Sequence, residues 1–507
     1  MARFAARWLL LVFLGFLATS ALAQTTAPPM QPASNRAAHA SPMAPLSQQL
    51  FGVIPLSTSS EEARASLELA WDKYENAMYQ SSANLARQAA QKDPHSALSY
   101  AMVSFAARRG MPDASALAKA KTLLPRATVD ERLLVRWMTE IQEHNLLPAI
   151  ASMNDLLKRY PRDKHVLYIT GEWLFLQQDD DRARTLLETA LQVDSDFPAA
   201  LNRLGYLYLD SSSPDPAKAI ASLKRYAEVA PTSPNPQDSL GEVLREAGDD
   251  QDSLEHYRLA LQIDPAYISS QYGLGSTRTL MGDFASARQE YDRAIPMAKN
   301  LLDELYVKYL RTLVYFWEGQ PAEGRKALAA LAEQGAQKKE PNSQFQVRMA
   351  EAMLAADPQA ELGQLKSLSA FLDKPLAGMN ESDRGIARAA VLRERARVEA
   401  QRGASQEADE AIAELRTLAA ASRDQVIRGY FESACGFVLF SRGDFANAAD
   451  ELAADPHSPL ALEHLAVAEE KLGNVAAAEA ARTGLKYHRS SEPEWFLATH
   501  SYRVNAH

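Results

Sequence analysis

The sequence predicts an all-α fold built as a solenoid, in which pairs of helices stack side by side in one array. Two observations lead to this prediction: a pattern that repeats every 34 residues, and turn signals at fixed places in that pattern. For example, Leu240-Gly241 recurs as Leu274-Gly275, 34 residues later. A fixed period of this length indicates one helical unit repeated along the chain, because each unit buries its apolar face only against its neighbours.

The repeat is clearest over residues 164–301 and returns with drift nearer the C-terminus. Between the two runs, residues 334–388 are helical in pattern but out of phase, and we expect divergent helical hairpins there. No segment alternates polar and apolar residues over a sustained stretch, so essentially no sheet is expected. Helix pairs are predicted to start near Ala63, Ala97, Asp130, Lys164, Pro198, Pro234, Ile268 and Leu302, and again near Ala389, Gly429 and Pro459.

Two kinds of turn signal separate the predicted helices. In the first, glycine accepts the left-handed conformation that ends a helix, and the next residue, Asp or Asn, caps the following helix. In the second, an Asp-Pro pair separates one hairpin from the next, because proline can start a helix but cannot continue one. The first kind stands at Gly248-Asp249, Gly282-Asp283, Gly443-Asp444 and Gly473-Asn474, and the second at Asp93-Pro94, Asp264-Pro265, Asp357-Pro358 and Asp455-Pro456.

The N-terminus has the pattern of a secretion signal over residues 1–23. Arg3 and Arg7 precede a short apolar core, and Ala21-Leu22-Ala23 is a small-x-small cleavage site. The apolar run is shorter than the ~20 residues that span a bilayer, so we expect cleavage and no membrane span afterwards. Residues 24–60, rich in Pro, Ala and Ser, are interpreted as a flexible linker. The protein is therefore expected to be exported, and to be periplasmic or secreted.

Composition and motifs argue against several function classes. The net charge of −10 comes without basic clusters, which makes nucleic acid and anionic lipid poor partners. Cys435 is the only cysteine. It stands at an apolar slot of a repeat and is expected to be buried. Zinc-protease, Cys-x-x-Cys, phosphate-loop and Gly-x-Ser-x-Gly patterns are missing from the sequence, so we predict no catalytic residue, no cofactor and no metal site.

These slots resemble the tetratricopeptide repeat family, whose unit places Leu-Gly, Tyr, Ala, Tyr or Phe, Ala and Pro at fixed offsets over about 34 residues. Residues 164–301 match best, and residues 429–486 match well at the turns. The family's Trp slot never holds Trp in this chain. The resemblance implies a right-handed superhelix whose first helices line a concave groove. Such a groove usually holds an extended peptide or a helix of a partner.

The resemblance also implies which side chains face the groove. Tyr and Asn at such positions offer apolar area with a hydrogen-bonding tip, which suits a peptide backbone, although a solvated face without a ligand is the simpler alternative. The cations with which some family members clamp a C-terminal carboxylate are absent, so a basic or polar segment is favoured. The residues carried over are His165, Tyr168, Glu172, Asn202, Tyr206, Asp238, Glu242, Arg245 and Tyr272.

These features predict a non-catalytic scaffold or adaptor of the cell envelope that binds a protein or peptide. Two alternatives stay open: an accessory factor of an envelope assembly or secretion machine, and a regulatory subunit or helical domain of an envelope hydrolase. In the tail, Trp495, Phe496 and Tyr502 are expected either to cap the last helix pair or to form a partner motif. The predicted order is signal 1–23, linker 24–60, first array 61–333, divergent hairpins 334–388, second array 389–490 and tail 491–507.

Overall fold

A computed structural model of the chain describes residues 49–50, 54–107, 113–143, 145–210 and 214–500. These residues are helical apart from turns and one short ladder, so the predicted all-α class of stacked helix pairs is confirmed. The predicted secretion signal and Tyr502 lie outside the described residues. Among the described residues, the chain divides into a smaller compact unit up to residue 139 and a larger one from residue 140.

The smaller unit consists of short helices and the end of the predicted linker. Its elements are β1 (Gln49–Leu50), β2 (Ile54–Pro55), α1 (Glu61–Glu75), α2 (Tyr79–Lys92), α3 (Ala97–Ala107), α4 (Ala114–Leu123), a 3₁₀ turn (Leu124–Arg126) and most of α5 (Val129–Gln142). Strands β1 and β2 pair antiparallel. Ile54 and Leu56 are buried, and Thr128 Oγ1 donates a hydrogen bond of 2.6 Å to the Pro55 carbonyl. The packed part of the chain therefore begins before residue 60, because Ile54 and Leu56 are covered by the helices.

The larger unit is a continuous run of helix pairs with one additional helix at its end. The helices are α6 (Leu146–Arg159), α7 (Lys164–Leu176), α8 (Asp180–Val193), α9 (Pro198–Asp210), α10 (Pro216–Val229), α11 (Asn235–Ala247), α12 (Asp250–Ile263), α13 (Ile268–Leu280), α14 (Phe284–Ala294), followed by a 3₁₀ turn (Ile295–Met297), α15 (Leu301–Trp317), α16 (Pro321–Lys338), α17 (Pro341–Met353), α18 (Pro358–Leu372), α19 (Glu381–Gln401), α20 (Ser405–Ser422), α21 (Gln425–Ser441), α22 (Phe445–Ala453), α23 (Pro459–Leu472), α24 (Val475–Lys486) and α25 (Pro493–His500). Most helices pack chiefly against the next along the chain, whereas α19 packs equally on α20 and α21, and α25 packs on α23.

The helix starts follow the sequence repeat closely in the first array and less closely in the second. Helices α7, α9 and α13 begin at the predicted residues. Helix α19, by contrast, begins at Glu381, about two helical turns before the predicted start at Ala389. It has 21 residues, whereas α9 has 13. The small residues that reveal the repeat therefore lie deeper inside this longer helix.

The turn glycines adopt the predicted conformation. Gly248, Gly282, Gly443 and Gly473 all have φ between 78° and 92°. The capping prediction holds for Asp283 and Asp444, whose side chains accept from the backbone N–H groups of Ser286 and Asn447, but the side chains of Asp249 and Asn474 make no such bond.

One Asp-Pro pair separates different elements from those predicted. Asp357-Pro358 starts α18 and so lies between the two helices of one pair, not between pairs. The Asp357 side chain accepts a hydrogen bond of 2.9 Å from Ala360 N. At Asp93-Pro94 and Asp264-Pro265 the Asp is instead the C-cap residue of the preceding helix, so the dipeptide alone does not distinguish the two kinds of turn.

Close helix contacts depend on glycine at a few positions. The ring of Tyr257 on α12 lies between Gly241 of α11 and Gly273 of α13. A Cβ at Gly273 would lie 2.5 Å from Cε1 and Cζ of this ring. Tyr257 is 2% exposed, and Arg245 Nη1 donates a hydrogen bond to its hydroxyl at 3.3 Å, so the ring has little room to move.

We expect Gly273→Ala to lower the free energy of unfolding by about 1–3 kcal/mol, because overpacking against a fixed ring outweighs the better helix propensity of alanine. Urea unfolding followed by circular dichroism measures this change. The matched control is Gly363→Ala, at an exposed position of α18, where an added Cβ meets no atom within 4 Å. That substitution should raise stability by up to about 1 kcal/mol. Equal effects of the two substitutions would contradict the proposed packing of Tyr257.

Candidate partner-binding face

The residues predicted to face a groove lie on successive first helices of the larger unit, and contacts link each helix to the next. We call this surface the first-helix face. It is formed by His165, Tyr168 and Glu172 of α7, Asn202 and Tyr206 of α9, Asp238, Glu242 and Arg245 of α11, and Tyr272 of α13.

A buried ion pair joins α7 to α9. Arg203 Nη2 donates a hydrogen bond of 2.9 Å to Glu172 Oε1, and the two residues are 6% and 3% exposed. The Arg203 guanidinium also lies 4.6 Å from the centre of the Phe175 ring. Loss of either charge would leave the other buried and uncompensated, so this pair fixes the two helices together.

A hydrogen-bond network joins α9 to α11. The Tyr206 hydroxyl lies 3.0 Å from both Ser239 Oγ and Glu242 Oε2, and Ser239 Oγ donates to Asn202 Oδ1 at 2.9 Å. Burial, followed by the nearby charges of Glu242 and Asp238, raises the pKa of Tyr206 well above its usual value. The phenol therefore stays protonated and can act as a donor on this face.

The acidic part of the face joins α11 to α13. Ser270 Oγ donates a hydrogen bond of 2.6 Å to Asp238 Oδ1. Burial raises the pKa of Asp238 to about 7, with Glu242 raising it further and Ser270 and Arg245 opposing the shift. Arg245 Nη2 lies 3.4 Å from Glu242 Oε1 and 3.6 Å from Glu246 Oε1.

An aromatic contact extends the face to α15. The rings of Tyr272 and Tyr306 meet edge to face with their centres 5.4 Å apart, and Tyr306 stacks on Tyr309 with a spacing of 6.2 Å. At the other end, His165 and Tyr168 contact the edge of Phe197. The face therefore runs without a break from α7 to α15.

The nine predicted residues differ in how much surface they offer a ligand. Tyr168, Glu172, Tyr206, Asp238 and Arg245 are between 3% and 8% exposed. His165, Asn202, Glu242 and Tyr272 are half-buried. Their role in binding remains a prediction, and direct contact is open to the half-buried set. The sequence pattern did not reveal Arg203, Ser239 and Ser270, which lie at positions between the groove positions and hold the buried members.

Sequence reasoning also missed a segment that lies against this face. The C-terminal segment, Tyr487–His500, contacts α11, α12 and α15. Arg489 Nη1 donates to the Arg245 carbonyl at 3.0 Å, and Tyr309 donates to Glu492 Oε2 at 2.7 Å. Trp495, expected either to cap the last helix pair or to form a partner motif, stacks on Trp317 of α15. Its helix α25 also packs on α23 of the last pair, and Ala498 lies in the hydrophobic cluster of α17–α25. No local signal predicts contacts over such sequence distances.

Helices from the two ends of the larger unit also meet near the turn between α7 and α8. Gln425 N donates to Gln177 Oε1 at 3.4 Å, and His457 Nε2 lies 3.0 Å from Asp180 Oδ2. A cavity of about 420 Å³ opens beside them and is lined by both apolar and charged side chains. Its lining includes Leu146, Met153, Trp173, Arg182, Arg423 and Glu432.

The described residues give no sign of reactive or metal chemistry. Cys435 is half-buried, less enclosed than predicted, and desolvation raises the pKa of its thiol to about 11. The thiol is therefore protonated at neutral pH and is a poor nucleophile. Within the described ranges, His, Cys, Asp and Glu side chains form no group of three or more suited to a metal ion. Helices that combine the length and apolarity needed to cross a bilayer are likewise missing there.

Comparisons with known proteins agree with the repeat type. Residues 177–235 match the sequence profile of the tetratricopeptide repeat. No curated protein matches the chain significantly. The profile match covers this part of the larger unit, where the helices stack in pairs as in a repeat of this type, and no catalytic family was found.

Several solved structures are similar to the chain at low identity. Yeast Tom70 shares 12% identity over 83% of this chain and 95% of its own, with a TM-score of 0.43. A tetratricopeptide repeat protein from Parabacteroides merdae shares 13% over 54% and 94%, with a TM-score of 0.35. PilW, a type IV pilus biogenesis factor, shares 18% over 43% and 97%, also with a TM-score of 0.35.

The raised pKa of Asp238 predicts a pH-dependent stability. Its carboxyl group ionises near pH 4 in the unfolded chain and near pH 7 in the folded one, so the folded state binds more protons between these values. The free energy of unfolding should therefore fall as pH rises from about 4 to 7. We expect Asp238→Asn, which keeps an acceptor for Ser270, to make this fall shallower. The loss of stability between pH 5 and pH 7.5 should therefore be smaller in the variant than in the unchanged chain.

Urea unfolding at several pH values measures the effect. Burial also raises the pKa values of Asp303 and Glu492 to about 7, so part of the slope should persist in the variant. The control is Asp252→Asn at an exposed position on α12. If the free energy of unfolding changed with pH in the same way in the unchanged chain and in the Asp238→Asn chain, Asp238 would be ionised in the folded state at acidic pH.

Proposed function

We propose that this protein is a non-catalytic interaction scaffold of the cell envelope that binds a segment of a partner protein on its first-helix face. The observation that supports this most is the continuity of the face. Successive first helices bring phenol, amide, imidazole and carboxylate groups together on one surface, from His165 at one end to Tyr272 at the other. A line of alternating donors and acceptors with aromatic area suits a polypeptide in an extended or helical form.

The charges of the face favour a basic or polar ligand. Arg245 is the cation among the nine residues, and its guanidinium already lies against Glu242, Glu246 and the Tyr257 hydroxyl. Glu242 is half-buried, so its carboxylate can still meet a donor from a partner. A ligand carboxylate beside Glu242 would meet like charge, whereas an arginine, a lysine or a backbone N–H group placed there would be attracted.

Partner capture tests this proposal. We expect Asn202→Ala combined with Tyr272→Ala to weaken capture at least about tenfold, because both substitutions remove half-buried contact groups, one between the ends of the face and one at its α13 end. The tagged full-length chain would be used to recover partners from an envelope fraction, with identification by mass spectrometry and affinity measured by calorimetry.

A matched control tests whether the effect is local to the face. Glu255→Ala with Arg258→Ala changes two exposed residues on the second helix α12 and should leave capture unchanged. Equal losses in the two double variants, both folded by circular dichroism, would refute the first-helix face as the binding surface. Recovery of an assembly or secretion component, or of an envelope hydrolase, would distinguish the two alternatives noted for this scaffold.

We also propose that the chain is exported and cleaved after residue 23, on the basis of the signal pattern at its N-terminus. Fractionation of producing cells followed by N-terminal sequencing should find a chain that begins at Gln24 in the periplasm or the medium. Deletion of residues 2–23 should retain the protein in the cytoplasm. A stable chain that still begins at Met1 and stays in the cytoplasm would contradict this proposal.

A further inference from the structure

A segment of the same chain contacts Arg245 of the first-helix face and Tyr309 of α15, and it also contacts Asp250 of the second helix α12. Arg489 makes the first contact. Its Nη1 donates to the Arg245 carbonyl at 3.0 Å, its Nη2 donates to Asp250 Oδ2 at 2.9 Å, and Nη1 also pairs with Asp250 Oδ1. A guanidinium that bonds a carboxylate through two nitrogens has a fixed orientation in addition to the attraction between the charges.

The second contact recognises the backbone and a carboxylate. Trp317 Nε1 donates to the Ser491 carbonyl at 3.0 Å, and the Tyr309 hydroxyl donates to Glu492 Oε2 at 2.7 Å. Ser491 and Glu492 are each 4% exposed. Helix α24 ends at Lys486 and α25 begins at Pro493, so these residues cross the face as non-helical chain.

The third contact is aromatic. The ring of Trp317 stacks on Trp495 at 5.7 Å between centres and meets Phe496 at 5.1 Å and His500 at 5.0 Å. Such ring pairs contribute about 0.5–1.5 kcal/mol each beyond the area they bury. Within fourteen residues, the segment therefore presents a cation, a backbone carbonyl, a carboxylate and an aromatic cluster to one surface.

We propose that the C-terminal segment is a tethered ligand of the first-helix face. A partner segment that binds between α11 and α15 then carries the same groups in the same order. These are a guanidinium, a carboxylate three residues later and a pair of adjacent aromatic rings. The proposal rests on the proposed function, because it assumes that a partner uses this face. It adds the chemistry of that partner and the requirement that the chain's own segment leaves first.

The anchoring of α25 makes this exchange compatible with an intact fold. Glu494 is 0% exposed, and its Oε1 accepts from Arg393 Nη2 at 2.7 Å. Arg393 Nη2 also donates to Ser458 Oγ at 2.6 Å. These contacts hold α25 on helices of residues 381–472, and they do not involve α11, α12 or α15. The contacts of Arg489 and Glu492, which precede α25, can therefore break without leaving the buried Arg393 charge unpaired.

A peptide binding experiment on the full-length chain tests the proposal. Arg489→Ala with Trp495→Ala weakens the tethered segment but leaves its receptor residues Asp250, Tyr309 and Trp317 in place. A fluorescent peptide with the sequence of residues 487–500 is then titrated and followed by anisotropy. A tether gives an effective concentration on the order of millimolar, so the unchanged chain should exclude the peptide. We expect the doubly substituted chain to bind it at least tenfold more tightly.

Two controls fix the interpretation. A peptide that carries the same two substitutions should lose binding, and Arg225→Ala, which removes an arginine that pairs with Asp196 elsewhere on the array, should behave as the unchanged chain. Limited proteolysis within residues 487–492 reports release of the segment. Cleavage of the doubly substituted chain within this segment, without binding of the peptide, would overturn the proposal. Unchanged protection of that chain from proteolysis would also overturn it, because the two substituted contacts would then not hold the segment.

The outcome separates this inference from the proposed function. Peptide binding by the substituted chain together with failure to capture any partner would support the tethered ligand while refuting the scaffold role. Capture of a partner that does not compete with the peptide would support the scaffold while overturning the inference. Competition between the two is the expected result.

Discussion

The structure of the larger unit depends on a single constraint: a helix pair cannot cover its own apolar face and must bury it on the next pair. This requires helices to approach closely, with a small residue on one helix set against a large side chain on its neighbour. Gly205 meets Leu223 in this way, and Gly436 meets Leu452. The sequence repeat results from this requirement, since each repeat must place small and large residues at the same positions to pack on its neighbours.

Close packing also explains why the first-helix face is more buried than a simple groove would be. Helices that lie this near to one another bring their polar positions within hydrogen-bond distance, and the polar groups satisfy each other. Glu172 and Arg203 form one such pair, and Tyr206 and Glu242 another. Burial of a charge is tolerated only when it is paired, so these contacts select one arrangement of neighbouring helices. The half-buried groups are those that we propose to contact a ligand.

The sequence predicted the local features well and the distant ones poorly. Helix starts such as Lys164 and Ile268, and left-handed glycines such as Gly248, follow from turn chemistry that acts over a few residues. The placement of the nine residues on successive first helices was predictable from position within a repeat, but their burial was not, because Arg203 and Ser270 act from neighbouring repeats. The contact of Trp495 with Trp317 could not be predicted from the sequence, since a periodic pattern does not show which distant repeats are in contact.

The contact between Arg489 and Asp250 joins residues 239 positions apart, in a molecule whose other contacts are mostly between adjacent helices. Local contacts can form as soon as two neighbouring helices exist, whereas closing a loop of this size carries a large entropic cost that only a nearly folded array can offset. The order of assembly follows from this difference. The helix pairs can fold one after another from the N-terminal side, and the closure that covers the first-helix face is available only to the finished chain.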